Sequence, residues 1–319
     1  MPAVSQSIPP DPSRDDDVIS ALLHRRDSGS CEDGLRIALV VGGGGMRGAY
    51  SGGMAHALEQ AGLAPTFDAI YGSSAGAFIG AGLLIGMSEG SSRIFFEDMA
   101  DPKFIDLRRL RTRRPVVSLD HLLDHILVHP KPMRWTELHA SPIPLHIVAT
   151  AADDLTGHVL RPQSVDDWKL AFRATSSIPF LAGRPVELHG RKWIDGAVSE
   201  PLPVARAFDD GSTHVLVLVN RTPEDLRGAP SEPTPSRWAR GVDRLVPGLG
   251  AMADERRRMG PALALLRDAD HPRRGGAKVF TLWPDTDAGI KGLTTHRARV
   301  ERASQIGYSS VNAVLDRHR

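Results

Sequence analysis

Three short stretches of this chain set reactive groups among small residues. The first is Gly72-Ser73-Ser74-Ala75-Gly76, a G-x-S-x-G pentapeptide between the apolar runs Ala69-Ile70-Tyr71 and Ala77-Phe78-Ile79. A serine at a strand-to-helix junction is held out on a sharp turn, with the N-terminus of the new helix aimed at it. Gly72 and Gly76 let strand and helix approach without Cβ clashes, so Ser74 is the candidate nucleophile. The second stretch is Gly42-Gly43-Gly44-Gly45-Met46-Arg47-Gly48. Such a loop crowds backbone N–H groups with no side chains in the way, and can bind an anion or the developing charge of a reaction. The third is Trp193-Ile194-Asp195-Gly196-Ala197, a carboxylate followed by two small residues at a strand end. Alone, Asp195 reads as a turn residue, because Asp-Gly is a common turn pair. Its significance depends on the other two stretches. A serine hydroxyl needs a base within hydrogen-bond reach. Aspartate is a weak one, and partial burial would raise its pKa and improve the match.

The elements around these stretches follow from apolar patterning. Arg36-Ile37-Ala38-Leu39-Val40-Val41 has the continuous apolar character of a central parallel strand. The glycine loop comes next, then a helix over about residues 49–60, with Gly62 suited to its C-terminal cap. A second strand is expected near 67–71, followed by the serine turn and an apolar stretch over 75–87. That stretch is short of the ~20 residues a bilayer span requires, and reads as a buried helix behind the turn. Strand and helix alternating this way form a βαβ pattern, so the expected fold is a three-layer α/β/α sandwich on a mainly parallel central sheet. Residues 88–140 read as helical and less regular, and 166–177 as a helix stopped by Pro179. Further strands are expected at 143–150, 157–160, 213–220 and 277–283. A hairpin joins 186–188 to 192–194 through His189-Gly190. Residues 1–33, polar and Pro-rich, are expected to be disordered, and 221–236 to form a linker or mobile loop. The chain is thus expected to divide into a catalytic domain over 34–220 and a mostly helical region over 221–319, partly packed on it.

The motifs G-G-G-x-R-G (Gly43 to Gly48), G-x-S-x-G (Gly72 to Gly76) and D-G-A (Asp195-Gly196-Ala197), in that order, resemble those of the patatin-like phospholipase family. Ala174-Thr175-Ser176-Ser177-Ile178-Pro179 resembles the family's small-residue segment ahead of the aspartate. The resemblance covers about residues 36–220. Beyond it the chain looks like bacterial members with an added helical C-terminal region. The resemblance implies a Ser–Asp dyad acting on lipid acyl esters in the manner of a phospholipase A or lysophospholipase. Ser74 would attack the carbonyl and Asp195 would take its proton. The amides of Gly43, Gly44 and Gly45 would hold the oxyanion, with Arg47 and Gly48 shaping the loop. It implies no cofactor and no metal.

Other readings stay open. A lipid- or acyl-chain-binding protein without catalysis could keep the same fold. Gly43, Gly45 and Gly48 also satisfy the dinucleotide pattern G-x-G-x-x-G, which expects an acidic residue at the end of the second strand. Asp68 precedes that strand's apolar run and so sits at its wrong end. A histidine-based triad is not excluded by composition, since there are 13 histidines, but none after Asp195 has a supporting motif. Lysophospholipase, lipase, thioesterase and acyltransferase share the chemistry and differ in pocket shape.

A formal net charge of +1 and 5% aromatic residues argue against a nucleic-acid partner. Cys31 is the single cysteine, so no internal disulfide can form. Asp153-Asp154 lacks the spacing of a metal site. Two basic clusters, Arg108/Arg109/Arg111/Arg113/Arg114 and Arg256/Arg257/Arg258, are either solvated helix faces or peripheral contacts to an anionic membrane. No basic-then-apolar leader and no spanning segment is seen, which leads to the expectation of a cytoplasmic protein, at most peripheral at the membrane.

Overall fold

The computed structural model describes residues 16–112, 114–227 and 255–318, together with 240, 244 and 250. Its centre is an eight-stranded sheet. Five strands are parallel: β1 (Ile37–Val41), β2 (Ala69–Ser73), β3 (Leu145–Ala151), β7 (His214–Leu218) and β8 (Lys278–Leu282), in the order β3-β2-β1-β7-β8. Three short strands, β4 (Gly157–Leu160), β5 (Val186–Leu188) and β6 (Arg191–Ile194), pair antiparallel at the β3 edge.

Every residue of β1 is buried because successive side chains enter opposite faces of the sheet. Ile37, Leu39 and Val41 face a core shared with α1 (Asp16–Ser28), α2 (Gly48–Gln60), α3 (Ala75–Leu84), α4 (Ser88–Glu97) and the last helix, Arg297–Asp316. Ala38 and Val40 face a second core with Val204 and Phe208 of a short helix, Val204–Asp209, and Met259 and Leu263 of the helix Glu255–Arg267. Among the described residues, the helices after α4 are, in chain order, α5 (Trp135–His139), α6 (Val165–Thr175), α7 (Val204–Asp209), α8 (Glu255–Arg267) and α9 (Arg297–Asp316). The three-layer α/β/α arrangement is therefore that expected from the βαβ pattern, and α3 is the buried helix behind the serine turn. Among the described residues, no helix is long and apolar enough to cross a membrane.

Two expectations about domain limits are corrected. Residues 16–28 are helical, with Val18, Ile19 and Leu22 buried in the first core. Arg25, also buried, pairs with Asp33 at 2.7 Å and Asp68 at 2.8 Å, and donates to the carbonyls of Thr66 and Leu35. The buried positions 18, 19, 22 and 25 carry a helical period that the surrounding polar residues mask; residues 1–15 lie outside the described residues. The limit at 220 also fails, because β8 continues the central sheet parallel to β7. Helix α9 lies against α2, so closely that a Cβ on Gly53 would collide with the Ser304 carbonyl, and one on Gly307 with that of Tyr50. The expected linker over 221–236 falls mostly outside the described residues. Residues 88–140 are irregular as expected: after α4 come a 3-10 segment (Leu107–Thr112), one π turn (His121–Ile126) and α5.

Candidate active site

The parallel strands end on one side of the sheet, and the three reactive stretches meet there. β2 runs into Ser74, whose backbone sits at φ 51°, ψ −127° before α3 begins at Ala75. A non-glycine residue at positive φ costs about 1–3 kcal/mol and persists only when its surroundings over-determine it. Here the Ser74 N–H donates to the Thr175 hydroxyl at 2.8 Å, and that hydroxyl donates to the Val148 carbonyl on β3. Gly76 has no room for a side chain: a Cβ would strike the Val41 carbonyl at the end of β1. A Cβ on Gly72 would lie 2.7 Å from the Ala77 nitrogen and the Gly76 oxygen. These two glycines therefore make the turn that the pentapeptide predicts.

Asp195 follows β6 and is 1% exposed. Its Oδ2 accepts from Ser74 Oγ at 2.8 Å, and its Oδ1 accepts from the Ala197 N–H at 2.7 Å. The backbone is held too: Asp195 N–H donates to the Ser177 carbonyl at 3.0 Å, and Thr150 Oγ1 donates to the Asp195 carbonyl at 2.9 Å. Gly196 is glycine because a Cβ would meet the Val148 carbonyl. Burial pushes the Asp195 carboxyl up to about 6, against the opposing pull of the Ser74 and Ala197 hydrogen bonds and the charge of Arg258. Arg258, on α8, also donates to the Ala197 carbonyl. A buried carboxylate titrating near neutrality is a better base than an exposed one.

The glycine loop lies beside the pair, but its amides are not equivalent. The Gly43 N–H donates to the Pro201 carbonyl at 2.8 Å, so Gly43 is corrected from oxyanion donor to a residue packed where a Cβ would lie 2.8 Å from the Ser73 oxygen. Among the described residues, no carbonyl accepts from the N–H of Gly44 or Gly45, and Gly45 borders the cavity that holds Ser74. Asn220 braces the loop through Nδ2, which donates to the Gly42 and Gly43 carbonyls at 3.2 and 2.9 Å. Met46 N–H donates to the Gly292 carbonyl at 3.0 Å. Arg47 is half-buried near Asp225 and Asp287, and burial lowers its pKa. Gly48 packs against the Phe95 ring, 2.7 Å from where a Cβ would stand. The segment carrying Gly292 is itself tied down, since Tyr50 donates to Asp287 at 3.0 Å and accepts from the Ala288 N–H at 2.6 Å.

Ser74 opens into an apolar cavity of about 730 Å³, mouth included. Its walls come from α3 (Phe78, Ile79), α4 (Ile94, Phe95) and the irregular stretch beyond, with Leu293 from the C-terminal region closing one side. No histidine lines it.

Several contributors were not singled out from sequence. Thr175 and Ser177 lay in the small-residue segment already noted, without individual roles. Arg258, expected from sequence to lie on a solvated helix face or a membrane-facing cluster, is instead buried beneath the D-G-A turn; the side chains of Arg256 and Arg257, and Arg113, lie outside the described residues. Asn220 and Gly292 carry no local signature. Asp68 binds Arg25 and the Ile37 N–H at the opposite ends of the strands, far from any nucleotide-binding position on the loop. The Asp153-Asp154 pair is occupied by Arg191.

Comparison with known proteins places this site in context. Residues 39–208, more than half of the chain, match the family model described as patatin-like phospholipase. YjjU of Escherichia coli strain K12, described as an uncharacterized protein, is 26% identical over 212 residues, covering 66% of this chain and 57% of its own. The match thus spans little more than half the length of that relative. Among solved structures, VipD from Legionella pneumophila is 13% identical with a TM-score of 0.42, over 89% of this chain and 67% of VipD. The type III effector protein ExoU is 15% identical with a TM-score of 0.39, over 89% and 53%.

Proposed function

This chain belongs to the patatin-like phospholipase family, and from that premise we propose that it is a serine hydrolase of lipid acyl esters working through a Ser74–Asp195 dyad. The observation that carries the reading is the 2.8 Å hydrogen bond from Ser74 Oγ to the buried Asp195 Oδ2. The acyl chain occupies the apolar cavity, which brings the ester carbonyl to the mouth beside Ser74.

Ser74 Oγ attacks the carbonyl carbon as its proton passes to Asp195 Oδ2. The carbonyl oxygen becomes an oxyanion facing the free amides of Gly44 and Gly45, with the Ala75 amide at the start of α3 as a third donor. Collapse breaks the ester C–O bond, and the departing alkoxide takes the proton from Asp195. An acyl-enzyme remains. Water then attacks the acyl carbon, gives a proton to Asp195, and expels Ser74 Oγ, which recovers that proton as the fatty acid leaves. The proton count closes on two groups, and no histidine is required.

The test is labelling with a fluorophosphonate probe, mapping of the modified residue, and a panel of acyl esters. The expected result is modification at Ser74, ester hydrolysis by the parent chain, and none by Ser74→Ala. Labelling elsewhere, or full activity in Ser74→Ala, would refute the dyad.

A further inference from the structure

A second concavity lies against the other side of the cavity wall. It is an open cleft of about 980 Å³, mouth included, and Val117 and Leu119 border both spaces. The segment after α6 divides in the same way, with Ser176 and Ile178 lining the apolar cavity and Ser177 lining the cleft. The wall between them is one residue thick. The apolar cavity has hydrocarbon walls, whereas the cleft is bordered by Arg109, Arg114, Arg173 and Arg184 and a single carboxylate, Asp120.

That carboxylate does not neutralise the cleft. Asp120, with Asp124, is engaged by Arg173. Arg109 is spread over backbone oxygens, including those of Pro102 and Lys103 at 3.0 and 2.9 Å. Arg114 and Arg184 are exposed, and among the described residues neither guanidinium meets a carboxylate.

Exposed apolar side chains stand on the segments adjoining the cleft's lining residues in the chain. Leu107 is 58% exposed, Leu110 43% and Phe180 57%, and these are three of the five large hydrophobic side chains that stand out from the described surface. They sit on two loops joined beside the cleft by the Val117 N–H donating to the Leu181 carbonyl at 2.9 Å. Phe180 holds a backbone φ of 67°, in the left-handed region that a bulky residue rarely adopts. Apolar tips among uncompensated arginines match the two layers of an anionic bilayer surface, where hydrocarbon lies under phosphate.

We propose that the 107–112 segment, Arg114 and the 178–184 loop dock on an anionic phospholipid surface, with the cleft between Arg114 and Arg184 receiving a phosphodiester headgroup. The docked surface would then supply phospholipid to the neighbouring apolar cavity that holds Ser74. Only this last consequence rests on the hydrolase reading; the docking does not.

The test is co-sedimentation of the full chain carrying Ser74→Ala, which removes turnover, with vesicles of phosphatidylcholine alone or of phosphatidylcholine with phosphatidylglycerol. A failure of the hydrolase reading therefore leaves this result readable. The expected result is binding to the anionic vesicles only. The pair Arg114→Gln/Arg184→Gln should weaken it about 25-fold, at about five-fold for each charge removed. The pair Leu110→Ser/Phe180→Ser should weaken it in high salt as well as low. The distant pair Arg26→Gln/Arg317→Gln, with the same change in net charge, should leave it within about two-fold. Equal binding to neutral vesicles, an equal loss in the distant pair, or no loss in the cleft pair overturns the proposal. So does calorimetric binding of inorganic phosphate that depends on Arg114 and Arg184 while vesicle binding does not, since the cleft would then serve a soluble anion.

Discussion

Arg258, carried by α8 fifty residues beyond the segment that matches the family, sets its charge beside Asp195 and its guanidinium on the Ala197 carbonyl. Burial and this cation act in opposite directions on the Asp195 carboxyl, and burial dominates. A proton-accepting Asp195 must be ionised in the free enzyme. Hence kcat/KM for a soluble ester should fall below an apparent pKa of about 6. Removing the cation in Arg258→Gln should move that limb to higher pH, and Arg258→Lys should return it part of the way. A pH–rate series on the three proteins measures this; an unmoved limb means the cation does not act on the base.

The same carboxyl makes stability depend on pH. Its folded-state pKa of about 6 stands above the value of 3.8 for a free aspartate. The folded state therefore binds the proton more tightly, and this contribution is complete below pH 3.8 and lost as the pH rises through 6. Asp195→Asn carries no charge to desolvate. It should be more stable than the parent at pH 8, by at most about 3 kcal/mol, and nearly equal to it at pH 3.5. Urea melts at both pH values check the sign, and a less stable Asn variant at pH 8 would contradict it.

Thr175 links the strained Ser74 turn to β3. In Thr175→Val the Ser74 N–H and the Val148 carbonyl both lose their partner in a buried place. A loss of about 1–3 kcal/mol in unfolding free energy is expected, with a fall in kcat larger than any change in KM as the serine loses its fixed pose. Thr175→Ser keeps the hydroxyl and should recover most of both. Chemical denaturation and steady-state kinetics on the two variants separate the turn's support from general packing.

Helix α1 is part of the core through Arg25. Replacing the fully buried guanidinium in Arg25→Met leaves Asp33 and Asp68 unpaired and the Thr66 and Leu35 carbonyls without their donor. Both aspartates are partly solvated, so the expected loss is near the lower end of the range for a broken buried pair, about 3 kcal/mol. An unfolding midpoint equal to the parent's would show that α1 docks without contributing stability.

Local chemistry was legible wherever a residue's role depends on its chain neighbours. The turn at Ser74 needs glycine on both sides, and Gly72 and Gly76 stand there. A strand buried on both faces must be apolar throughout, and residues 37–41 are. The parallel sheet, the buried α3 and the pairing of the short strands follow from the same local rules. The N-terminal helix was missed because its four inward positions are diluted by charge. Arg258 was misjudged because sequence does not tell a solvated arginine from one turned under a neighbouring turn.

The sequence by itself determined which groups are available: a serine on a bend, a carboxylate before Gly-Ala, and a loop free of side chains. Only the tertiary structure decided that Ser74 and Asp195 are hydrogen-bonded, that the Gly43 amide is already taken by Pro201, and that Arg258 and Gly292 from the far end of the chain brace the site. The reason is physical. A turn or strand is set by interactions within a few residues, whereas a hydrogen-bond partner, a desolvated carboxyl or a filled donor depends on which distant segments the sheet and its cores bring to the same place.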